Sequence, residues 1–348
     1  MRVLVAMSGG VDSSVAAALM KSEGHDVIGA TLKLWQGPNG EAPTAGCCTL
    51  SDSEDARRVA AQLDIPYYVL DYSSHFRHGV VESFVADYRR GRTPNPCVEC
   101  NRTVKFQKLL HQAKTFGCDL LVTGHYARVK REGDRFTLHR GLDHRKDQSY
   151  VLAMLSQETL GRVRFPVGEL RKDETRALAA ELKLRTARKA ESQDICFVGR
   201  GGYRQFLKRH DPSVAAPGPI IDGALPVGRH EGVAGFTVGQ RRGLGVALGE
   251  RRYVIEVRPE TSTVVLGHRE ELAVNELWLE HVTWTDEPLP SESMVEVQYR
   301  AHGGAVPARW EEGRVSFVEP EFAIAPGQTA AIYRGDRVLG SGVIARTS

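Results

Sequence analysis

Apolar runs alternate with amphipathic segments over the N-terminal half of the chain. Residues 3–6 form a short apolar run rich in β-branched side chains, which predicts a buried parallel strand. Residues 11–21 carry apolar side chains four positions apart and predict a helix that ends before Gly24. The same reasoning predicts strands over residues 26–35, 66–72 and 119–126, and helices over residues 51–63, 75–89 and 98–110. Strands that alternate with helices predict an α/β fold with a doubly wound parallel sheet.

The second half of the chain has a different pattern. Residues 228–257 contain closely spaced glycines and predict short strands and turns, and residues from 276 onward alternate between apolar and polar. The segment Pro217-Gly218-Pro219 indicates a boundary between domains. We therefore predict an α/β domain over residues 1–205, a small β-rich domain over residues 206–272 and a C-terminal β-barrel over residues 273–348.

Composition narrows the function classes without choosing one. With 41% apolar and 26% charged residues, the 348-residue chain is typical of a globular protein, and a formal net charge of +3 does not by itself indicate nucleic acid. No run approaches the ~18 apolar residues of a membrane span and no signal peptide precedes the first strand, so we expect a cytoplasmic protein without a membrane partner. The cysteines, six in number, suggest reactive thiols or metal ligands.

The turn between the first strand and the first helix is one candidate site. Ser8-Gly9-Gly10 stops the strand, so that free backbone N–H groups and the positive end of the helix point at an anion. Ser13 and Ser14 add hydroxyl donors. A Walker loop would need Gly-Lys-Ser/Thr and a dinucleotide fold would need GxGxxG, and neither is present here. The alternative is an ordinary serine–glycine turn.

A pair of cysteines marks a second candidate site. Residues 93–96, Thr-Pro-Asn-Pro, predict an extended turn that excludes a helix, and the predicted helix follows it. Cys97 and Cys100 therefore lie at a helix N-terminus near Arg102 and Lys105, a setting that favours the thiolate form. The alternatives are a redox pair, half of a zinc site or chance, and no second CxxC supports the zinc site.

Other residues are candidate ligand contacts because of their place at strand ends and in loops. Leu32 and Gly124 lie near the carboxyl edge of the predicted sheet, where an adenine nucleotide would bind. Residues 146–148, Lys-Asp-Gln, either form a solvated approach to a helix or contact phosphates and nucleobase edges. Cys196, beside Phe197, would on its own be a buried core cysteine.

The order of the motifs resembles that of a known family. SGGVDSS at residues 8–14 resembles the phosphate-binding PP-loop of the ATP pyrophosphatases. With TPNPCVECNRTVKF, VTGHYAR, RKDQSYVL, ESQDICFV and GFTVGQRRGLG following in that order, the chain resembles the tRNA-specific 2-thiouridylases, which thiolate the wobble uridine of certain tRNAs. The resemblance runs from Arg2 to at least Leu244 and is weaker beyond. It implies an adenine nucleotide α-hydrolase-like fold for the first domain.

The resemblance implies roles for individual residues. It implies ATP contacts at Ala6, Met7, Ser8, Gly9, Gly10, Val11, Asp12, Ser13, Leu32 and Gly124. It implies contacts with the target base at Asn95, Pro96 and Cys97, and with the rest of the tRNA at Lys146, Asp147, Gln148, Gln298, Tyr299 and Arg300. The catalytic residues it implies are Cys100 as nucleophile, Cys196 as carrier of persulfide sulfur, and Asp12, which helps to place Mg²⁺. Gln298 stands where the family more often has arginine, and Cys97 where some members have aspartate.

The implied reaction has two stages. ATP adenylates the C2 oxygen of a wobble uridine in tRNA and releases pyrophosphate, and sulfur then replaces that oxygen. In a persulfide relay, sulfur from a persulfide or sulfide donor protein attacks from Cys196, and Cys100 then forms a disulfide bond with Cys196. In the alternative, Cys97, Cys100 and Cys196 hold a [4Fe–4S] cluster whose fourth iron carries sulfide. The rival functions are adenylation of a small molecule and RNA binding without catalysis, and DNA is not an expected partner.

Overall fold

The structure of the protein is a computed structural model that describes residues 1–36, 49–190, 195–199 and 201–348, so that Cys47, Cys48 and the first residues of ESQDICFV lie outside it. Its strands are β1 (Arg2–Ala6), β2 (Asp26–Lys33), β3 (Tyr67–Asp71), β4 (Leu120–Thr123), β5 (Ala127–Glu132), β6 (Arg135–Arg140), β7 (Val163–Arg164), β8 (Gly218–Asp222), β9 (Leu225–His230), β10 (Tyr253–Arg258), β11 (Thr263–Gly267), β12 (Ala273–Trp284), β13 (Ser293–Gln298), β14 (Val306–Glu311), β15 (Arg314–Phe322), β16 (Thr329–Arg334) and β17 (Arg337–Thr347). Its α-helices are α1 (Val11–Ser22), α2 (Leu50–Gln62), α3 (Ser73–Phe76), α4 (Glu82–Arg89), α5 (Pro96–Cys100), α6 (Leu110–Thr115), α7 (Gln157–Leu160), α8 (Lys172–Glu181) and α9 (Gly202–His210). None of the helices in these described ranges is long and apolar enough to span a bilayer.

A five-stranded parallel sheet with the order β3-β2-β1-β4-β7 forms the centre of the N-terminal half. In β1, Leu4 packs into one apolar cluster while Val3 and Val5 pack into another, because successive side chains of a strand point to opposite faces. Both faces of the sheet are therefore covered, and the predicted doubly wound sheet is confirmed. The sequence did not indicate β7, since two residues are too few to show a period.

Cys97 and Cys100 lie on one continuous helix. It begins with α5, where the side chain of Asn95 accepts bonds from the N–H groups of Cys97 and Val98, and it continues through a π-helical stretch, Asn101–Leu109, into α6. The prediction that residues 93–96 exclude a helix was wrong at Pro96. The first residue of a helix needs no partner for its N–H, and the fixed φ of proline suits that position.

The second half of the chain folds into two β structures. A four-stranded sheet of order β10-β11-β8-β9 packs over a small apolar core. Strands β12 to β17 form an antiparallel barrel, which closes because β12 pairs with both β15 and β17. Leu277, Val297 and Ile332 are fully buried inside it. The small β-rich domain and the C-terminal barrel are confirmed as folds, while boundaries at residues 205 and 272 stay predictions.

A hairpin from the N-terminal half joins the barrel. β5 pairs with β6, and β6 pairs with β17 so that Leu138 lies opposite Val338. Arg128 adds an ion pair with Asp336, with 3.3 Å between nitrogen and oxygen. The barrel sheet therefore extends to eight strands and contains residues from both halves of the chain.

Candidate active site

A cavity of about 310 Å³ lies at the carboxyl ends of β1, β2 and β4, the edge at which parallel sheets bind their ligands. Eight of the ten residues predicted to contact ATP line it, namely Ala6, Met7, Ser8, Val11, Asp12, Ser13, Leu32 and Gly124. The other two, Gly9 and Gly10, form the turn between Ser8 and Val11. The volume is in the range of small-molecule sites. The structure therefore brings the predicted nucleotide contacts to one place.

Close packing fixes the glycine turn before α1. Gly9 has a φ of +71°, and a Cβ atom there would meet the carbonyl oxygen of Asp52 at 2.1 Å, so only glycine fits. At Gly124 a Cβ atom would lie 2.6 Å from the backbone nitrogen of Ser13. The hydroxyl of Ser13 in turn accepts a bond from the N–H of Ser8 at 3.1 Å. The first turn of α1, with its positive end, is thereby held at the cavity wall, where an anion would bind.

Asp12 supplies a carboxylate to this wall. The Nζ atom of Lys172 lies 2.7 Å from Oδ1 and 2.9 Å from Oδ2, and the Tyr126 hydroxyl donates to Oδ1 at 2.8 Å. Mg²⁺ in nucleotide sites is held by one or two carboxylates together with phosphate oxygens and water. One carboxylate beside a phosphate-binding turn fits that donor set.

Basic residues that were not predicted as nucleotide contacts also line the cavity. Lys105, Lys146 and Lys172 reach it from three separate parts of the fold. His125 lies beside them, with Nδ1 2.6 Å from the Thr123 hydroxyl, and burial lowers the pKa of its imidazole well below its usual range. Neither Lys105 nor Lys172 was predicted as a nucleotide contact, because single lysines on helices are most often solvated.

The predicted sulfur-transfer residues share one apolar cluster but differ in exposure. Cys100 belongs to the cluster with only 7% of its surface exposed, and Cys196 is half-buried against it, whereas Cys97 is exposed. Phe197 packs edge-on against Phe84, with ring centroids 5.3 Å apart. This aromatic contact anchors the segment of Cys196 on the core that also contains Cys100.

The arrangement of these cysteines does not fit an iron–sulfur cluster. Among the described residues, no group of three or more His, Cys, Asp or Glu side chains is placed to hold a metal ion. Cys97 is exposed, Cys100 is buried and Cys196 is half-buried, and no metal-binding group among the described residues contains these three cysteines. The four cysteines within the described ranges are also thiols, and the disulfide bond predicted between Cys100 and Cys196 is not formed.

Arg140 joins the two segments predicted to contact tRNA. Its guanidinium donates to Asp147 Oδ2 at 2.8 Å and to Gln298 Oε1 at 3.1 Å, and it lies 3.8 Å from the centre of the Tyr333 ring. The side chains of Asp147 and Gln298 are turned inward and buried, where they hold the two segments together. Arg140 ends a strand outside any motif, and for that reason the sequence gave no sign of this link.

The other predicted tRNA contacts differ in exposure. Lys146 and Gln148 line the nucleotide cavity. Tyr299 is buried, and the exposed Arg300 places its guanidinium 5.1 Å from the centre of the Tyr299 ring. Direct contact of any of these residues with tRNA stays a prediction.

The segment predicted to contact the target base is held where three parts of the chain meet. The N–H of Thr93 donates to the carbonyl of Pro326 at 2.8 Å, and Gln328 Nε2 donates to the carbonyl of Thr93 at 2.6 Å. The hydroxyl of Thr93 lies 3.1 Å from that of Thr237. The central and C-terminal parts therefore fix the chain just before residues 95–97.

Comparison with known proteins covers all three parts. A model described as the tRNA methyl transferase HUP domain matches residues 1–200, a tRNA methyl transferase PRC-barrel domain matches residues 204–268, and an aminomethyltransferase beta-barrel domain matches residues 274–344. The tRNA-specific 2-thiouridylase MnmA of Roseiflexus sp. is 45% identical over 374 residues and covers 99% of both chains. Those of Acidothermus cellulolyticus and Geobacter metallireducens are each 48% identical, over 100% and 99% of this chain and 98% and 96% of their own. The chain therefore belongs to the tRNA-specific 2-thiouridylase family.

Proposed function

We propose that the protein is an ATP-dependent sulfurtransferase that replaces the C2 oxygen of the wobble uridine in tRNA anticodons with sulfur. The observation that carries this proposal is the helix formed by α5 and its continuation. It holds Cys100, and five residues later it places Lys105 in the wall of the nucleotide cavity. The stretch between them is π-helical, with hydrogen bonds between residues five apart, so Cys100 and Lys105 are about one turn from each other and a thiol and an adenylating site can act on one base.

In the first stage, ATP binds in the cavity with its phosphates at the glycine turn. Asp12 is the residue that would hold Mg²⁺ together with phosphate oxygens, and a bound ion would supply screening of the triphosphate charge. The backbone N–H groups of α1 and the side chains of Lys105 and Lys146 are in place before charge develops, which is the condition for electrostatic stabilisation. The C2 oxygen of the uracil attacks the α-phosphate, and pyrophosphate leaves.

In the second stage, sulfur arrives on Cys196 as a persulfide from a donor protein. Its terminal sulfur attacks C2 of the adenylated base and displaces AMP, which leaves the base joined to Cys196 through a sulfur–sulfur bond. The Cys100 thiolate attacks the sulfur of Cys196, releases the 2-thiouridine and forms a disulfide that an external thiol reduces. The placement of both cysteines on one apolar cluster supports this relay.

A thiolation assay with tRNA, ATP and a persulfide donor tests the proposal. We expect 2-thiouridine and pyrophosphate in equal amounts. Cys100→Ser removes the attacking thiol, so thiolation falls by at least about 10³-fold while tRNA binding stays within about two-fold. Cys118→Ser is the matched control, because Cys118 is a buried cysteine outside the candidate site and its replacement leaves thiolation intact.

Three results would contradict this function or its route. Normal thiolation by Cys100→Ser would remove Cys100 from the reaction. Pyrophosphate release with a small acid in the absence of tRNA would indicate another adenylating enzyme, and a protein that does not bind ATP would be an RNA-binding protein only. About four irons per chain, lost together on replacing Cys97, Cys100 or Cys196, would establish a cluster instead of the relay.

A further inference from the structure

The two donors that fix Asp12 come from distant parts of the chain. Lys172 contacts both carboxylate oxygens and lies 160 positions from Asp12 in sequence, and Tyr126, which donates to Oδ1, lies 114 positions away. Tyr126 is buried, with 2% of its surface exposed, and its hydroxyl also lies 3.0 Å from the Thr175 hydroxyl, so the surrounding residues restrict its movement. The orientation of the Asp12 carboxylate therefore depends on what holds these two residues.

One loop, formed by residues 141–148, supports both donors. The N–H of Tyr126 donates to Gln148 Oε1 at 3.0 Å, and the N–H of Gln148 donates to the carbonyl of Tyr126 at 2.8 Å. At the other end of the loop, Asp143 Oδ2 accepts the backbone N–H of Lys172 at 3.0 Å, and this bond holds the pKa of Asp143 below its usual value. A displacement of the 141–148 loop therefore moves both partners of Asp12.

The same loop contains residues predicted to contact tRNA. Lys146 and Gln148 belong to that set and also line the nucleotide cavity. Asp147 binds Arg140, which in turn binds Gln298 in the second predicted tRNA segment. A tRNA held by either segment therefore acts on the loop that supports Tyr126 and Lys172.

We propose that the 141–148 loop couples the two substrates, so that bound tRNA tightens the nucleotide site through Tyr126 and Lys172. The inference rests on the proposed function, because it requires tRNA as a substrate. A ligand that orders a support shared by two sites lowers the ordering cost for the second ligand, and the coupling is then positive. Asp143, Tyr126 and Lys172 act as positioning residues, and ATP is held most tightly when its acceptor is present.

The coupling is measured as a ratio of dissociation constants. The probe is an ATP analogue with a methylene group between the α- and β-phosphates, which cannot release pyrophosphate, titrated with Mg²⁺ at fixed salt with and without tRNA. In the wild-type protein we expect tRNA to lower the dissociation constant of the analogue by at least about five-fold. By linkage, the analogue must tighten tRNA binding by the same factor.

Variants of the supports test the route of the coupling. Asp143→Ala removes the acceptor of the Lys172 N–H, and Tyr126→Phe removes only a hydroxyl. We expect each substitution to reduce the ratio of dissociation constants without and with tRNA to below about two. Asp143→Asn keeps a side-chain acceptor and should restore most of it. The matched control is Asp134→Ala, since Asp134 is fully exposed at a hairpin tip outside this network, and it should keep the wild-type factor.

The outcomes separate this inference from the function on which it rests. A wild-type factor of one, or a wild-type factor retained in both Asp143→Ala and Tyr126→Phe, would overturn the coupling while leaving thiolation intact. A protein that binds no tRNA at any nucleotide concentration would overturn the proposed function itself. Thermal melting of each variant shows whether it is folded. If Asp143→Ala is not folded, the factor measured for Tyr126→Phe decides whether the coupling uses this route.

Discussion

The helix that carries Cys100 and Lys105 connects the nucleotide cavity with the thiol region, which is formed by Cys97, Cys100 and Cys196. The fold assembles the two regions to different degrees. Around the cavity, residues from several distant parts of the chain already enclose one space. In the thiol region, Cys97 is exposed, Cys100 is buried and Cys196 is half-buried in a short segment without a helix or strand. Strand ends of a parallel sheet need no ligand to hold their positions, whereas a pair of thiols 96 positions apart depends on an irregular segment. Adenylation is therefore the preorganised half of the reaction.

Substituting one residue from each region should separate the two stages, and this is the largest effect we expect. Cys196→Ser should reduce thiolation by at least about 10³-fold and leave tRNA-dependent pyrophosphate release within about three-fold of the wild type. Asp12→Ala should reduce pyrophosphate release and thiolation together, by about 10²-fold or more, because the cavity loses its carboxylate. Both products are measured in one assay. Pyrophosphate release that falls equally in Cys196→Ser would show that the stages are not separable.

Gly124→Ala tests how rigid the nucleotide cavity is. The added Cβ atom would meet backbone atoms of Ser13 and Asp12 at 2.6 and 2.7 Å, and backbone cannot move aside as a flexible side chain can. We expect a loss of about 1–3 kcal/mol in the free energy of unfolding and weaker ATP binding. Urea unfolding measures the first and titration the second. Gly304→Ala, where a Cβ meets nothing within 4 Å, is the control and should change neither. Equal stability of both variants would mean that the cavity wall yields easily.

The pH dependence of the free energy of unfolding also tests the wall of the nucleotide cavity, with a smaller expected effect. Burial lowers the pKa of His125 below its value in the unfolded chain, so only the unfolded state takes up a proton as the pH falls through about 6.5. The contribution of this group to the free energy of unfolding is therefore complete above that pH and decreases below it, by about 1 kcal/mol between pH 7.5 and 5.5. His125→Gln should lose this part of the slope, measured by urea unfolding at both pH values.

Gly304→Ala again serves as the control for this measurement and should keep the wild-type slope, because the added Cβ atom meets nothing within 4 Å. His139 and His230 also have pKa values lowered by burial, so a smaller slope remains when His125 is replaced. An unchanged slope in His125→Gln would show that the imidazole is accessible to protons in the folded state.

Local patterns predicted the elements of the cavity because strand, turn and helix lie within a few residues of one another. The run from residue 3 to residue 21 is of this kind. Gly9 and Gly124 were predicted as nucleotide contacts, and the structure shows that a side chain at either position would clash with backbone. The pairing of Asp12 with Lys172 could not be predicted, because the two residues lie 160 positions apart and no local pattern around either one indicates the other. The same holds for Arg140, whose two partners lie in separate motifs.

The thiol region shows a different limit of sequence reasoning. The helix start at Pro96 was misjudged because proline both stops helices and begins them, and only the cap at Asn95 distinguishes the two cases. Cys97 and Cys100 lie three positions apart on one helix, yet Cys97 is exposed and Cys100 is buried. A spacing in the sequence does not contain this information, because it depends on which face of the helix the core covers.

The pairing of β6 with β17 has a consequence for synthesis of the protein. β6 is translated about 200 residues before the strand that pairs with it. At roughly 5–20 residues per second, the ribosome takes about 10–40 s to produce the partner. During that interval the hairpin presents an unpaired strand edge, which in any nascent chain is a template for wrong association. The edge of β6 therefore stays open until β17 has been synthesised. Truncation of the barrel before β17 would leave that edge open permanently.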